Sequence, residues 1–203
     1  MSHPINLSQF RWLNPPRKFL LDNGVLTVFT DPLTDFWQRT YYGFQHDNAH
    51  AWIFAAAEKE FSFTVRIAWQ PVWLFDQAGV LLYQDADNWC KASVEYDNAV
   101  YSRLGSVVTN LGYSDWSTTD IPSTQLNMVY RLSRRGQDFL LENSEDGQVY
   151  RQMRVFHMHQ PIRLANIGVY ACSPLNASMR AVFSDFSLGE CVWELYKNPD
   201  GQD

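Results

Sequence analysis

Charged and aromatic side chains recur at every second residue of one run near the middle of the chain. These side chains are Trp89, Lys91, Ser93 and Glu95. Alternate residues of a β-strand point to the same face, so the four would share one side of a strand. The opposite side would carry the intervening residues, Cys90, Ala92, Val94 and Tyr96. The run therefore predicts a strand with one core face and one face that could form a site.

An amine and a carboxylate on one strand face favour ligand binding over glycoside hydrolysis. Retaining hydrolysis needs two carboxyl groups about 5 to 5.5 Å apart, and inverting hydrolysis needs them about 6.5 to 9.5 Å apart. Here Lys91 occupies the position where a second acid would be needed beside Glu95. Asp76 or Asp115 could complete a pair from another strand, but the sequence does not place them, and we assign no catalytic residue. The structural alternative for Lys91 and Glu95 is a solvated ion pair, which contributes only about 0 to 1 kcal/mol.

Polar and aromatic residues in other segments could complete a binding site around this strand. They are Tyr42, His46, Asp76, Gln77 and Trp116. Aromatic rings cover the apolar C–H patches of a sugar, while charged and amide groups bind its hydroxyls. In this interpretation Lys91 and Glu95 recognise charge or hydroxyl groups, and Gln77 and His46 orient the ligand. Residues 112–117 would form a loop over the groove; the alternative is a capping turn with Trp116 in the core.

Histidine and aspartate patterns give only a weak indication of metal binding. His46 and His50 would share a face of an extended segment, as would His157 and His159, but neither pair has a third ligand at a recognised spacing. Residues 85–88 offer oxygen atoms but lack the remaining ligands of a calcium loop, so a turn between two strands explains them better. We predict no cofactor and leave open whether His46 and His50 bind a metal.

Charge and cysteine content exclude several classes of function. The net charge of -6 disfavours a nucleic-acid surface, which requires clustered Lys and Arg. Three irregularly spaced cysteines favour free thiols in a reducing compartment. No basic and apolar leader and no run of about 18 apolar residues is present, so neither secretion nor membrane insertion is predicted. The expected location is the cytoplasm.

The elements that would position these residues are strands. Residues 61–69 alternate strictly between large apolar and smaller or polar side chains, the period of a strand with one buried side. Short runs of this kind are separated by turn signals such as Asn23-Gly24, and no amphipathic helix is evident. The pattern predicts an all-β sandwich or closed β-structure. We expect a single domain over residues 1–203, with an irregular lead-in at 1–20 and a flexible tail at 197–203.

Several segments together resemble one family. They are DFWQRTYYGF at residues 35–44, FDQAGVLLYQDADNWCKASVEY at 75–96, SVVTNLGYSDWS at 106–117, IGVYACSP at 167–174 and FSDFSLG at 183–189. In this order they resemble the regulation of enolase family. The resemblance implies a concanavalin A-like lectin/glucanase jelly roll, in which two antiparallel sheets pack face to face and one sheet is concave. It leaves the chemistry open, because such a fold hosts many functions.

The sequence thus predicts a non-catalytic module that binds a small polar ligand, a carbohydrate or a sugar derivative, in the concave groove. The alternative from a different class is a protein-interaction module that regulates a metabolic enzyme. A weak glycoside-active enzyme is the third interpretation. Neither nucleic acid nor membrane is expected as a partner.

Overall fold

The computed structural model describes residues 3–196, which contain 17 strands, one 3-10 helix at Leu7–Gln9 and no α-helix. The strands are β1 (His3–Pro4), β2 (Arg11–Leu13), β3 (Lys18–Asp22), β4 (Val25–Phe29), β5 (Phe36–Gln38), β6 (Gln45–Asp47), β7 (His50–Ala56), β8 (Glu60–Gln70), β9 (Gln77–Asp85), β10 (Asn88–Tyr96), β11 (Tyr101–Asn110), β12 (Tyr113–Pro122), β13 (Asn127–Arg135), β14 (Asp138–Ser144), β15 (Arg151–His157), β16 (Ala165–Cys172) and β17 (Arg180–Gly189). No helix in this range has the length and apolar content needed to cross a bilayer.

The strands form two large antiparallel sheets and a short two-stranded arm. The first sheet has the order β15-β14-β13-β8-β17-β4-β3, with β1 also paired to β17. The second sheet has the order β12-β11-β10-β9-β16-β7-β2. Strands β5 and β6 pair only with each other, and with the turn at residues 39–44 they form what we call the β5–β6 arm. The predicted all-β sandwich is confirmed.

Alternating apolar residues of both sheets form the main core. In the first sheet the predicted inward set of β8 is buried: Phe61, Phe63, Val65, Ile67 and Trp69. In the second sheet Cys90, Ala92 and Val94 belong to the same cluster, as the alternation in β10 predicts. Since side chains of a strand alternate between faces, the other residues of β10 must point away from the core, to the outer face of the second sheet.

A smaller apolar cluster occupies that outer face, where the β5–β6 arm packs on the sheet. It includes Phe36 of the arm, Leu81 and Trp89 of the β9–β10 hairpin, and Tyr170 of β16. Phe36 lies 5.6 Å from Trp89 between ring centroids. The arm is therefore fixed to the second sheet by buried aromatic contacts.

The structure differs from the sequence prediction at residues 1–20 and 112–117. Strand β2 lies within residues 1–20 and β3 begins there at Lys18, so the segment predicted as an irregular lead-in contributes to an outer strand of each sheet. Residues 112–117 are not a loop, because β12 begins at Tyr113. Both segments pair with neighbouring strands that local sequence signals do not identify. The predicted tail at 197–203 lies outside the described residues.

Candidate ligand-binding site

A cavity of about 600 Å³ lies on the outer face of the second sheet, beside the β5–β6 arm. Its floor comes from alternate residues of neighbouring strands: Gln77 of β9, Lys91, Ser93 and Glu95 of β10, and Arg103, Gly105 and Val107 of β11. Its walls are mostly apolar and include Leu33, Trp37, Tyr42, Phe44, His46, Phe75, Trp116 and Leu175. The register of β10 against β11 pairs Lys91 with Val107 and Glu95 with Arg103, which brings these alternations onto one face.

A buried ion pair joins the floor of the cavity to the arm. Lys91 Nζ lies 3.1 Å from Asp35 Oδ1, and only 5% of Lys91 is exposed. Asp35 Oδ1 also accepts a hydrogen bond from the backbone N–H of Phe36 at 2.7 Å. Burial is the largest influence and opposes the charged form of Lys91. The negative charges around Lys91, that of Asp35 foremost, and the hydrogen bond to Asp35 together outweigh burial and raise the pKa of Lys91. Lys91 therefore stays protonated at neutral pH.

A second polar chain crosses the floor from Tyr170 to Glu95. The Tyr170 hydroxyl donates to Gln77 Oε1 at 2.8 Å, and Gln77 Nε2 donates to Glu95 Oε2 at 2.9 Å. Burial raises the pKa of Glu95 to about 7, and the charge of Asp35 adds to this effect while Lys91 opposes it. Near neutral pH Glu95 is present in both protonation states, so it can both donate and accept hydrogen bonds.

Aromatic rings form a continuous wall beside the floor. Trp37 lies 6.2 Å from Trp116 and 5.4 Å from Tyr42 between ring centroids, and Tyr42 stacks on Phe44 at 5.4 Å. The guanidinium carbon of Arg103 lies 5.8 Å from the centre of the Trp116 ring. Arg103 Nη2 forms an ion pair with Asp97 Oδ2 at 2.9 Å. The wall exposes ring faces next to fixed polar groups, which is the surface that a sugar ring can use.

The β5–β6 arm is anchored at its tip by the turns of the sheet. Arg39 Nη1 donates to Asp87 Oδ1 at 2.9 Å and to the carbonyl oxygen of Gly112 at 2.8 Å. The backbone N–H of Gln38 donates to Ser114 Oγ at 2.9 Å. The acidic turn at 85–88 joins β9 to β10 as predicted, and it also holds the arm that walls the cavity.

Two cavity residues have backbone conformations that are unusual for their types. Leu33 has φ 61° and Phe75 has φ 71°. Side chains other than glycine rarely adopt this left-handed region, at a cost of roughly 1 to 3 kcal/mol each. Such residues persist where the surrounding structure over-determines them, and they cluster at functional sites.

Six of the eight residues predicted to bind a ligand line the cavity, and two do not. The six are Tyr42, His46, Gln77, Lys91, Glu95 and Trp116. Trp89 is on the predicted face but is fully buried, because Phe36 of the arm covers its ring and its Nε1 donates to the Ala86 carbonyl oxygen at 3.1 Å. Asp76 is 1% exposed, and its Oδ2 accepts from the backbone N–H groups of Val72 and Trp73. Trp89 and Asp76 therefore do not line the cavity, which corrects their predicted placement at the binding site.

Sequence reasoning missed several residues that shape the site, above all Asp35, Trp37 and Arg103. Arg103 could have been found, because Arg103, Gly105 and Val107 alternate in the run that follows β10. Asp35 and Trp37 lie in the segment 35–44 that carries the family resemblance, but no periodicity there indicates which side chains face the sheet. Only the packing of the arm identifies Asp35 as the partner of Lys91.

The histidines proposed as candidate metal ligands have other contacts. Both nitrogens of His50 are used, since its Nε2 accepts from the Asp31 N–H at 2.9 Å and its Nδ1 lies 2.8 Å from the Asn14 carbonyl oxygen. Burial lowers the pKa of His50, which fits a neutral ring that donates through Nδ1. His46 packs on Phe44 at the cavity wall. Across residues 3–196 no group of three or more His, Cys, Asp or Glu side chains is arranged to hold a metal ion.

Glu95 is expected to make the stability of the protein depend on pH between about 4.5 and 7. Its folded pKa of about 7 exceeds the ordinary value of 4.5, so the folded state holds the proton more tightly than the unfolded state. The resulting stabilisation is complete below pH 4.5 and is lost as pH rises through 7. The loss amounts to about 3 kcal/mol or less. Urea unfolding of the parent and of Glu95→Gln, at about pH 5 and about pH 8, measures it.

The amide of Glu95→Gln does not titrate, so subtracting its pH profile removes the contribution of the groups that do not interact with Glu95. We expect the parent to lose more stability than the variant on going to the higher pH. Parallel profiles for the two proteins would contradict the raised pKa.

Fold and site together define a class. The chain is a concanavalin A-like jelly roll with a cavity on the open face of one sheet. It belongs to the family described as "Protein of unknown function (DUF1349)", whose profile matches residues 12–191. It is 32% identical over 187 residues to "Regulation of enolase protein 1" of Saccharomyces cerevisiae, and the alignment covers 90% of each chain. The family resemblance predicted from the sequence is confirmed.

Solved structures agree with this fold. The crystal structure of a functionally unknown protein from Saccharomyces cerevisiae matches with TM-score 0.86 and 30% identity, covering 93% of this chain and 100% of that one. A xylan beta-1,4-xylosidase from Bacillus halodurans matches with TM-score 0.71 and 14% identity. The second match covers 93% of this chain but only 38% of the xylosidase, so it supports the fold alone.

Proposed function

We propose that this chain binds a small, uncharged, polyhydroxylated molecule, a carbohydrate or a sugar derivative, in the cavity without transforming it. The observation that carries the proposal is the pair of polar contacts on the floor, Lys91 with Asp35 and Glu95 with Gln77, within otherwise aromatic walls. Burying charged groups is costly unless they are paired, and an open polar floor in an apolar cavity offers directed hydrogen bonds to a ligand.

The balance of charges favours an uncharged ligand. Lys91 is neutralised by Asp35 and Arg103 by Asp97, each within 3.1 Å. Glu95 is only partly ionised at neutral pH because burial raises its pKa. An anion would find no unpaired cation among these groups, whereas hydroxyls can both donate to and accept from Glu95 and Gln77.

The size and composition of the cavity fit such a ligand. A volume of about 600 Å³ lies within the range of ordinary small-molecule sites, roughly 300 to 1,000 Å³. Trp116 remains 37% exposed although Trp37 lies against it and Arg103 lies over its ring, so part of the ring is accessible to a ligand. The fold is shared with a xylan beta-1,4-xylosidase, which supports the ligand class by analogy.

A protein partner is the alternative that the relative's name supports. The yeast relative is named for the regulation of enolase, and regulation of a metabolic enzyme by this chain would require a contact surface. Tyr41, 94% exposed at the tip of the arm, offers an aromatic anchor for such a contact. The free thiols of Cys90, Cys172 and Cys191 support the cytoplasmic location in which a metabolic enzyme would be met.

A binding experiment with matched tryptophan variants tests the proposal. Isothermal calorimetry of the parent against a panel of uncharged mono- and oligosaccharides should give saturable binding to at least one member. Trp116→Ala should weaken that binding about tenfold, because a stacking ring face is lost. Trp73→Ala is the control, since Trp73 is 58% exposed and does not line the cavity.

Each outcome of this experiment decides between the interpretations. Absence of binding across the panel, or equal losses in both tryptophan variants, contradicts a sugar site in the cavity. Release of reducing sugar from a panel member, abolished in Glu95→Gln, would instead favour the glycoside-active interpretation, for which Glu95 and Asp35 provide two carboxyl groups in one cavity. Stoichiometric capture of enolase that is lost in Tyr41→Ala would favour the protein-partner interpretation.

A further inference from the structure

The outer strand β3 exposes a continuous apolar run at the edge of the first sheet. All five of its residues are exposed, and the central three are apolar: Phe19 at 47%, Leu20 at 61% and Leu21 at 44%. An outer strand presents unpaired backbone N–H and C=O groups, and proteins usually protect it with charge, proline or short length. The central residues of β3 have none of these protections.

The other outer strands of the two sheets, within residues 3–196, are protected, and β1, which pairs only with β17, has just two residues. Strand β15 carries Arg151, Arg154 and His157. Strand β12 carries Asp115 and Asp120 and ends at a proline. Strand β2 is only three residues long. The apolar edge at β3 is therefore a particular feature of this strand.

The turn before β4 determines which backbone groups of β3 face outward. Asn23 and Gly24 have φ 47° and 80°, and Asp22 pairs with Val25 across this two-residue turn. Residues that flank such a turn exchange hydrogen bonds, and hydrogen-bonded pairs then alternate along the hairpin. Asp22, Leu20 and Lys18 consequently bond to β4. The backbone N–H and C=O groups of Phe19 and Leu21 point to the open edge.

The sequence of β3 complements itself in the antiparallel orientation. A two-fold axis through Leu20 places Phe19 opposite Leu21 of the second copy, so the outward backbone groups of these two residues meet. The same axis places Lys18 opposite Asp22 of the second copy, and each opposite-charge pair occurs twice. Cross-strand pairs of opposite charge and of apolar residues both stabilise antiparallel strands.

We propose that two copies of this chain associate through β3, forming a sheet that continues across the two-fold axis. Leu20 meets its own counterpart on the outer face of the sheet, where its cross-strand neighbour in β4 is Thr27. Phe19 and Leu21 lie on the inner face, next to buried Val28 and Leu26. Contact between these residues of the two copies closes the side of the sandwich. No residue of β3 lines the cavity, so both cavities remain open in the dimer.

Exchanging the charges of Lys18 and Asp22 tests this register of β3 against β3 of the second copy. Sedimentation velocity of the parent over a concentration series should show a monomer–dimer equilibrium. Lys18→Asp alone and Asp22→Lys alone should each weaken association about tenfold or more, because like charges then face each other in two places. An equimolar mixture of the two single variants should recover association as a heterodimer, since every pair is again of opposite charge. The double variant Lys18→Asp with Asp22→Lys should recover it as a homodimer.

The expected outcome also includes loss of the dimer in Leu20→Lys, which brings two ammonium groups together at the axis. Circular dichroism and thermal unfolding check that the variants fold, which their exposed positions favour. A parent that sediments as a monomer at every concentration overturns the proposal. A dimer that persists in Leu20→Lys, or a mixture of single variants that remains monomeric, also overturns it, because association would then use another surface or another register.

Discussion

Replacing Gly79 by alanine is expected to lower the free energy of unfolding by more than about 4 kcal/mol, or to prevent folding. Gly79 lies in β9 between β10 and β16, where it pairs with Ser93 and Tyr170. A methyl group on Gly79 would overlap the carbonyl oxygen of Ala92 and would lie 2.7 Å from the Ala92 carbonyl carbon and 2.8 Å from Ser93 Cβ. The obstructing atoms are mostly backbone atoms of a central strand, so they cannot move aside without breaking the sheet.

Gly136→Ala is the matched control for this steric argument. Gly136 has φ 63° and no atom within 4 Å of an added methyl group, so its substitution costs only the backbone strain of about 1 to 2 kcal/mol. Urea denaturation of the soluble proteins compares the two variants, and the yield of folded protein is measured where Gly79→Ala does not fold. Similar stabilities for the two variants would show that β10 can shift. Because β10 carries Lys91 and Glu95, such a shift would also displace the floor of the cavity.

Breaking the ion pair between Asp35 and Lys91 is the second large effect that we expect. Asp35→Asn leaves the ammonium of Lys91 buried without its counterion, and Lys91→Met leaves the carboxylate of Asp35 without its partner. Removing one member of a buried pair typically costs about 3 to 5 kcal/mol. The double variant removes both charges, so we expect it to be destabilised by less than the sum of the single variants, with a coupling of about 2 kcal/mol.

Urea unfolding of the four proteins at one pH measures this double-mutant cycle. Strictly additive losses would mean that the two side chains do not interact in the folded protein. The double variant also separates stability from function, because replacing a buried ion pair with uncharged groups is often close to neutral for stability. If the floor of the cavity binds hydroxyl groups, a double variant that folds should still lose affinity for the sugar that the parent binds.

The sequence predicted correctly which residues share a face of β10, because this prediction relied on the period of a strand. Lys91 and Glu95 line the same cavity because alternate residues of a strand share a face, and this depends only on local geometry. The same rule placed Trp89 on the correct face. It did not reveal that Phe36 of the arm covers Trp89, because that contact joins distant parts of the chain.

Asp35 illustrates why the remaining part of the site could not be predicted. It lies 56 residues from Lys91 in the chain, in a segment without regular periodicity. Its position depends on the path of the β5–β6 arm, which is fixed by contacts such as that of Arg39 with Asp87. The sequence indicated that Lys91 stands where a second carboxyl group would be needed beside Glu95. In the structure the β5–β6 arm places the carboxylate of Asp35 against Lys91.

The sequence by itself determined alternating strands such as β8 and β10, their core faces and the family, because alternation and turn signals act over a few residues and the family segments occur in order along the chain. The tertiary structure alone decided which polar residues meet and which are covered. The raised pKa of Glu95 arises in the same way, from burial and from charges that other segments supply. These properties depend on distances between segments that are far apart in sequence, and local patterns carry no information about such distances.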